Sequence, residues 1–239
     1  MFAPAASVDA ASIQKIKGAF AYEGRKVRVE IVRPTGEAPA PTALVLHGAS
    51  GVGQGLYVYP FAEELARRGV AAAVVRYYDG LGRKRGKASA KIFRTRDRIL
   101  KAAIDYLVTR KDVSADRIGV YGMSLGGFHA LSLGVHDPRV KSVVSLGGAL
   151  SSHIPKERLL RLPPTLILHG GRDRVVPLKR ALDLKQASAD WNAPAEIKIY
   201  KGEGHSLSQK ARADAVESVA KFLSRTLQAD RQVATTTAR

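Results

Sequence analysis

Gly119-Val120-Tyr121-Gly122-Met123-Ser124-Leu125-Gly126-Gly127-Phe128-His129 is the stretch on which the reading of this chain turns. Its Gly-x-Ser-x-Gly core is weak alone. In 239 residues with 22 glycines, such a match arises by chance roughly 0.13 times. The surroundings give it weight. A short apolar run over residues 118–121 precedes it, and Leu125, Phe128, Leu131 and Val135 follow at helical spacing until Asp137-Pro138 stops the pattern. A serine at so abrupt a strand-to-helix turn is lifted out of the backbone path, in a conformation unfavourable for an ordinary side chain. Neighbouring chain then crowds positions 122 and 126, where only hydrogen fits, which is a mechanical reason for both glycines.

Working outward, two alternating runs at residues 13–20 and 26–32 flank Glu23-Gly24 and predict an antiparallel hairpin. Pro34, Pro39 and Pro41 mark a connecting loop. Short apolar strands then alternate with helices. Strands are expected near 42–48, 70–77, 117–122, 141–148, 165–171 and 196–200. Helices are expected near 59–68, 91–109, 125–136, from Pro177 onward, and up to Leu227. This pattern predicts an α/β fold in which a mostly parallel eight-stranded sheet, entered by the hairpin, carries helices on both faces. Residues 13–228 are expected as one domain, with a flexible N-terminus at 1–12 and a disordered tail at 229–239.

In such sheets functional groups gather beyond the carboxyl ends of the strands. Ser124 lies at one of those ends. Asp173, in "LHGGRDRVVP", follows a later strand, and His205, in "YKGEGHSL", follows the next. A serine hydroxyl becomes a nucleophile when an imidazole takes its proton and a carboxylate holds that imidazole in the right tautomer. Ser124, Asp173 and His205 are therefore the candidate catalytic residues. Each has an ordinary alternative (a turn serine, a capping acid before Pro177, a surface histidine), but their order and placement agree independently. His129, His136, His153 and His169 read as structural or surface residues. The small residues of "HGASGVG" let backbone approach a ligand, so the N–H groups of Ala49 and Leu125 are the expected oxyanion donors, with His47 orienting the loop.

The order HGASG, GMSLGG, GGRDRVVP and GEGHSL resembles the α/β-hydrolase superfamily, most closely its dienelactone hydrolase branch, over roughly residues 41–227. The resemblance implies the α/β-hydrolase fold and hydrolysis of a carboxylic ester through an acyl-enzyme. Two positions depart from that branch: Ser124 stands where its enzymes carry cysteine, and Gly48 where they carry glutamate. The implied activity is accordingly that of a serine carboxylesterase. Peptidase or thioesterase chemistry is the alternative on the same fold, and a non-catalytic binding protein is a third.

Composition narrows the field. No run approaches the length of a membrane span. There are no cysteines, hence no disulfide framework or thiolate nucleophile, and the motifs require no cofactor and no metal. Residues 1–12 lack the basic start and apolar stretch of an intact signal peptide, which leaves a cytoplasmic location and export after signal removal both open. A net charge of +18 suggests a polyanion partner, yet aromatics are 6% and no nucleic-acid-recognition signature is present. Between Ser124 and Asp173 there is room for a partial flap at 150–162 but not for a large cap domain, so the site is expected to be open to small or accessible soluble esters. Residues 83–101 carry nine basic and one acidic side chain, starting near the expected rim, which points to anionic substrates.

Overall fold

The computed structural model describes residues 12–228 other than 37, 54, 85–88, 153, 155–161, 191, 192 and 194. The hairpin consists of β1 (Ile13–Tyr22) and β2 (Arg25–Pro34), joined through Glu23 and Gly24, both at positive φ. Ser12 is tied to the hairpin, since its carbonyl accepts the Thr35 N–H at 2.9 Å. The expected flexible ends otherwise lie outside the described residues. There follow β3 (Ala40–Leu46), α1 (Tyr59–Arg67), β4 (Ala71–Val75), a short 3-10 segment (Asp79–Lys84), α2 (Ala90–Val108), β5 (Val113–Met123) and α3 (Leu125–His136). β6 (Val140–Leu146), β7 (Thr165–Gly170), α4 (Leu178–Asp190), β8 (Ala195–Tyr200) and α5 (Gln209–Gln228) complete the chain.

The strands form one sheet in the order β1-β2-β4-β3-β5-β6-β7-β8. Pairings β1–β2 and β2–β4 are antiparallel, and every other pairing is parallel. Successive residues of a strand face opposite sides, so an apolar run feeds two cores at once. In β3, Leu44 and Leu46 enter the core beneath α2, α3 and α4, while Ala43 and Val45 enter the one beneath α1 and α5. All four are fully buried. A Leu or Val buried this way contributes about 1.5–3 kcal/mol by leaving water.

Two details differ from the sequence expectation. β5 begins at Val113, earlier than Arg117, because Val113 pairs with Ala40 across a register irregularity that leaves no apolar alternation in the sequence. The basic segment after β4 contains the 3-10 turn, which periodicity does not signal. Neither alters the topology, which directs the carboxyl ends of β3, β5, β7 and β8 toward one edge.

Candidate active site

At Ser124 the chain passes from β5 to α3 with no intervening loop, and the serine adopts φ 53° and ψ −120°. Such backbone costs of order 1–3 kcal/mol and persists only where the surroundings enforce it. The two glycines show what enforces it. A Cβ at Gly122 would lie 2.1 Å from the Gly126 carbonyl oxygen, and one at Gly126 would lie 2.4 Å from that of Leu46. The turn is further held by the Ser124 N–H, which donates to Leu146 O at 2.8 Å.

Asp173 lies in the turn after β7. Its Oδ1 accepts the N–H groups of Val175 and Val176 at 2.8 and 2.9 Å, and its Oδ2 accepts the Nδ1–H of His205 at 2.7 Å. Burial alone would raise this carboxyl, but the bond from His205 and those from Val176 and Val175 outweigh it and hold Asp173 below the usual carboxylate range. An ionised carboxylate can only accept. The proton of His205 is therefore on Nδ1, and Nε2 is left to accept the Ser124 hydroxyl at 2.8 Å. Ser124, His205 and Asp173 thus form one continuous chain of hydrogen bonds.

The two loops that carry Asp173 and His205 are locked backbone to backbone, a feature the sequence reading missed. A Cβ at Gly170 would sit 2.1 Å from Gly204 O, and one at Gly171 would sit 2.7 Å from Lys201 O. Arg172 N–H donates to Glu203 O at 2.8 Å. The glycines of "HGGRD" and "GEGH" were the available signal. On the opposite side, Leu207 N–H donates to the Tyr57 hydroxyl at 2.8 Å, which ties the His205 loop to the β3–α1 loop.

That β3–α1 loop passes close to Ser124, with the Cβ position at Gly48 3.5 Å from Ser124 Cβ. His47 Nδ1–H donates to Gly48 O at 2.8 Å. The Gly48 carbonyl and the Ala49 N–H are opposite ends of one planar trans peptide, so fixing the first sets the direction of the second. Two tyrosines directly after β4 reinforce the loop. The Tyr77 hydroxyl donates to His47 O at 2.8 Å, and the Tyr78 hydroxyl to Ala49 O at 2.9 Å, while the Tyr77 ring stacks on His47 at 4.0 Å. Sequence reasoning passed over both. Leu125 opens α3, so no carbonyl of that helix can take its N–H.

The remaining histidines are used elsewhere. His169 Nε2–H donates to Val176 O at 2.8 Å, beneath the Asp173 turn. His129 is fully buried on Asp97, and His136 Nδ1–H donates to Ser132 O at 2.9 Å. His153 lies outside the described residues. The basic run at 83–101 is not all surface: Lys91, Arg94 and Arg98 are exposed, but Arg96 is buried with its guanidinium 5.3 Å from the Tyr78 ring centroid. Part of the run and most of the expected flap lie outside the described residues. Among the described residues, no three or more histidine and carboxylate side chains converge as a metal centre requires, and no helix is long and apolar enough to cross a membrane.

The model of the dienelactone hydrolase family matches residues 27–232. The chain belongs to that family. A Yersinia pestis protein described as a carboxymethylenebutenolidase is 24% identical over 212 residues, 80% of this chain and 77% of that one. The Bacillus subtilis protein YtaP is 31% identical over 140 residues, 49% of this chain, which spans about half (46%) of YtaP. Among solved structures, a Klebsiella pneumoniae protein described as a dienelactone hydrolase superposes with a TM-score of 0.74 at 21% identity, covering 90% of this chain and 99% of that one. The dienelactone hydrolase-like phosphotriesterase P91, from metagenomic libraries, gives 0.76 at 16% identity, covering 90% and 98%. At these identities the superpositions speak for the α/β-hydrolase fold. Family membership supports hydrolase chemistry.

Proposed function

We propose that this dienelactone hydrolase family member is a serine hydrolase that cleaves carboxylic esters of small or accessible substrates through an acyl-enzyme on Ser124. The observation that carries the reading is the unbroken relay Asp173–His205–Ser124, with links of 2.7 and 2.8 Å. His205 Nε2 takes the hydroxyl proton as Ser124 Oγ forms a bond to the acyl carbon. Charge then develops on the former carbonyl oxygen, where the Ala49 and Leu125 N–H groups donate to it. Collapse breaks the bond to the alkoxy oxygen, and His205 returns its proton to the departing alcohol. In the second half water attacks the acyl carbon, gives its proton to His205, and releases the acid as Ser124 regains its hydrogen. Asp173 keeps its charge throughout and stabilises the imidazolium.

A fluorophosphonate probe followed by peptide mass mapping tests the proposal: an adduct on Ser124, absent in Ser124→Ala, is expected. No adduct, with the protein folded, would favour a binding role. Peptidase and thioesterase chemistry use the same groups, and an acylaminoacyl peptidase of Pyrococcus horikoshii shares this fold at a TM-score of 0.71, although this chain covers only 42% of it. A matched panel of ester, thioester and amide separates the three, with the ester expected to be fastest. Exposed Lys91, Arg94 and Arg98 support a secondary preference for anionic esters, which a salt titration with neutral and carboxylated substrates would reveal.

A further inference from the structure

β7 is buried along its whole length, and its successive side chains face opposite sides of the sheet. His169 therefore shares a face with Ile167, which packs in the core beneath α2, α3 and α4. The imidazole is fully buried there, and its Nδ1 has no hydrogen-bond partner. An unmet buried acceptor is costly, which leaves the other nitrogen to account for a histidine at this position. That nitrogen lies beneath the turn that carries Asp173. Its N–H donates to Val176 O at 2.8 Å and stands 3.5 Å from Asp173 Oδ2, with both side chains wholly out of solvent. Val176 is thereby held at both ends, since its own N–H donates to Asp173 Oδ1 at 2.9 Å. His169 fixes Val176, Val175 and Val176 fix Oδ1, and Oδ2 is left to face His205 Nδ1 at 2.7 Å.

We infer that His169 is a positioning residue for Asp173, holding its carboxylate in the orientation that keeps His205 aligned with Ser124. The inference rests on the serine-hydrolase reading above. The Nε2–H of His169 is committed to Val176 O, so the ring acts on the relay through the Asp173 turn and not as a second base. Its partly positive hydrogen also lies close enough to Oδ2 to favour the ionised carboxylate. A supporting contact of this kind is felt in the rate, because a misplacement of about 1 Å costs about a hundredfold. Substrate binding does not depend on it, so the loss falls on kcat and leaves KM in place.

The test uses His169→Gln, His169→Asn and His169→Leu, each made in the wild-type and in the Asp173→Asn background. Gln carries an amide N–H about as far as Nε2, whereas Asn stops near the position of Nδ1 and Leu has no donor. On a short-chain p-nitrophenyl ester, His169→Gln should keep kcat within about fivefold of wild type, while Asn and Leu should lower it about thirtyfold or more with KM unchanged. In the Asp173→Asn background the same substitutions should change the residual kcat less than about threefold, because the group they act through is already lost. The far-downfield proton resonance of His205 Nδ1–H, recorded without substrate, should persist in the Gln variant and broaden away in the Asn and Leu variants. Equal losses for Gln and Asn, a full loss repeated in the Asp173→Asn background, or an unaltered resonance in the Asn variant overturns the assignment and leaves the esterase reading in place. Should the Leu variant not fold, the Gln and Asn pair, both polar and uncharged, decides alone. If the wild type turns over no ester and Ser124 takes no fluorophosphonate, the esterase reading falls, and the resonance, which needs no turnover, still judges whether His169 aligns Asp173 with His205.

Discussion

Among the described residues, two histidines meet a carboxylate through Nδ1 at nearly the same distance. His205 Nδ1–H meets Asp173 at 2.7 Å, and His129 Nδ1–H meets Asp97 at 2.6 Å. A serine belongs to each: Ser124 donates to His205 Nε2, whereas Ser132 donates to Asp97 Oδ2 at 2.7 Å. The second arrangement thus has its hydroxyl on the carboxylate and not on the far nitrogen of the paired imidazole. His129 Nε2 is buried and has no hydrogen-bond partner, with the ring stacked 4.3 Å from Phe93 and the edge of Tyr77 5.7 Å away. The His205 side chain keeps 17% of its surface exposed, and the His129 side chain none. A proton relay is therefore defined by what the far nitrogen faces and whether substrate can reach it. The pair by itself serves equally well to fasten α3 to α2.

The sharpest way to break this comparison is to remove each hydroxyl. Ser124→Ala should lower kcat by three or more decades with folding nearly intact, while Ser132→Ala should change kcat less than about threefold. Initial rates on a short-chain ester, alongside far-ultraviolet circular dichroism, measure both. Exchanging the carboxylates comes next. Asp173→Asn, which reverses the hydrogen-bond demand on His205 Nδ1, should cost about four decades in kcat. Asp97→Asn should leave kcat largely unchanged and cost about 1–3 kcal/mol in a urea melt, since two buried donors lose their charged acceptor.

Acid separates the two regions again. kcat/KM should decline as pH falls, because a protonated His205 cannot accept the Ser124 proton. Asp97→Asn should keep the same acid limb, since no step uses His129. Stability follows other groups. Burial would raise Asp137, but its hydrogen bonds from Arg139 prevail and hold it below the ordinary carboxylate range. A carboxyl lowered on folding stabilises the native state at pH above its unfolded value, and that contribution disappears as pH falls through the folded value. Asp137→Asn should therefore flatten the stability loss below about pH 4, read from denaturation midpoints across that range. Among the variants around His205, the smallest loss of kcat expected is that of Tyr57→Phe. Losing the hydroxyl that holds Leu207 N–H should lower kcat about fivefold with KM unchanged, as His205 spends less time aligned.

Most of the fold could be read from local pattern. β3 and β4 are near-continuous apolar runs buried on both faces, and Val27, Val29 and Ile31 alternate with polar residues in β2. The start of β5 is not legible because Ser114, Ala115 and Asp116 show no apolar alternation, and only the pairing of Val113 with Ala40 makes that end a strand. At the candidate site Ser124, Asp173 and His205 were legible because each follows a recognisable strand. Tyr77, Tyr78 and Arg96 were not, since a tyrosine after a strand, or an arginine in a basic run, looks the same whether it turns inward or out.

By itself the amino-acid order determined the sheet, its helices, the tight turn at Ser124 and the edge at which the candidate groups assemble, because these follow from spacing between neighbours in the chain. Only the tertiary structure decided which histidine shares a carboxylate and a hydroxyl in relay order, which proton each ring carries, and that Gly170 and Gly204 must touch for it to happen. Those depend on contacts between residues tens of positions apart, and no local periodicity records them.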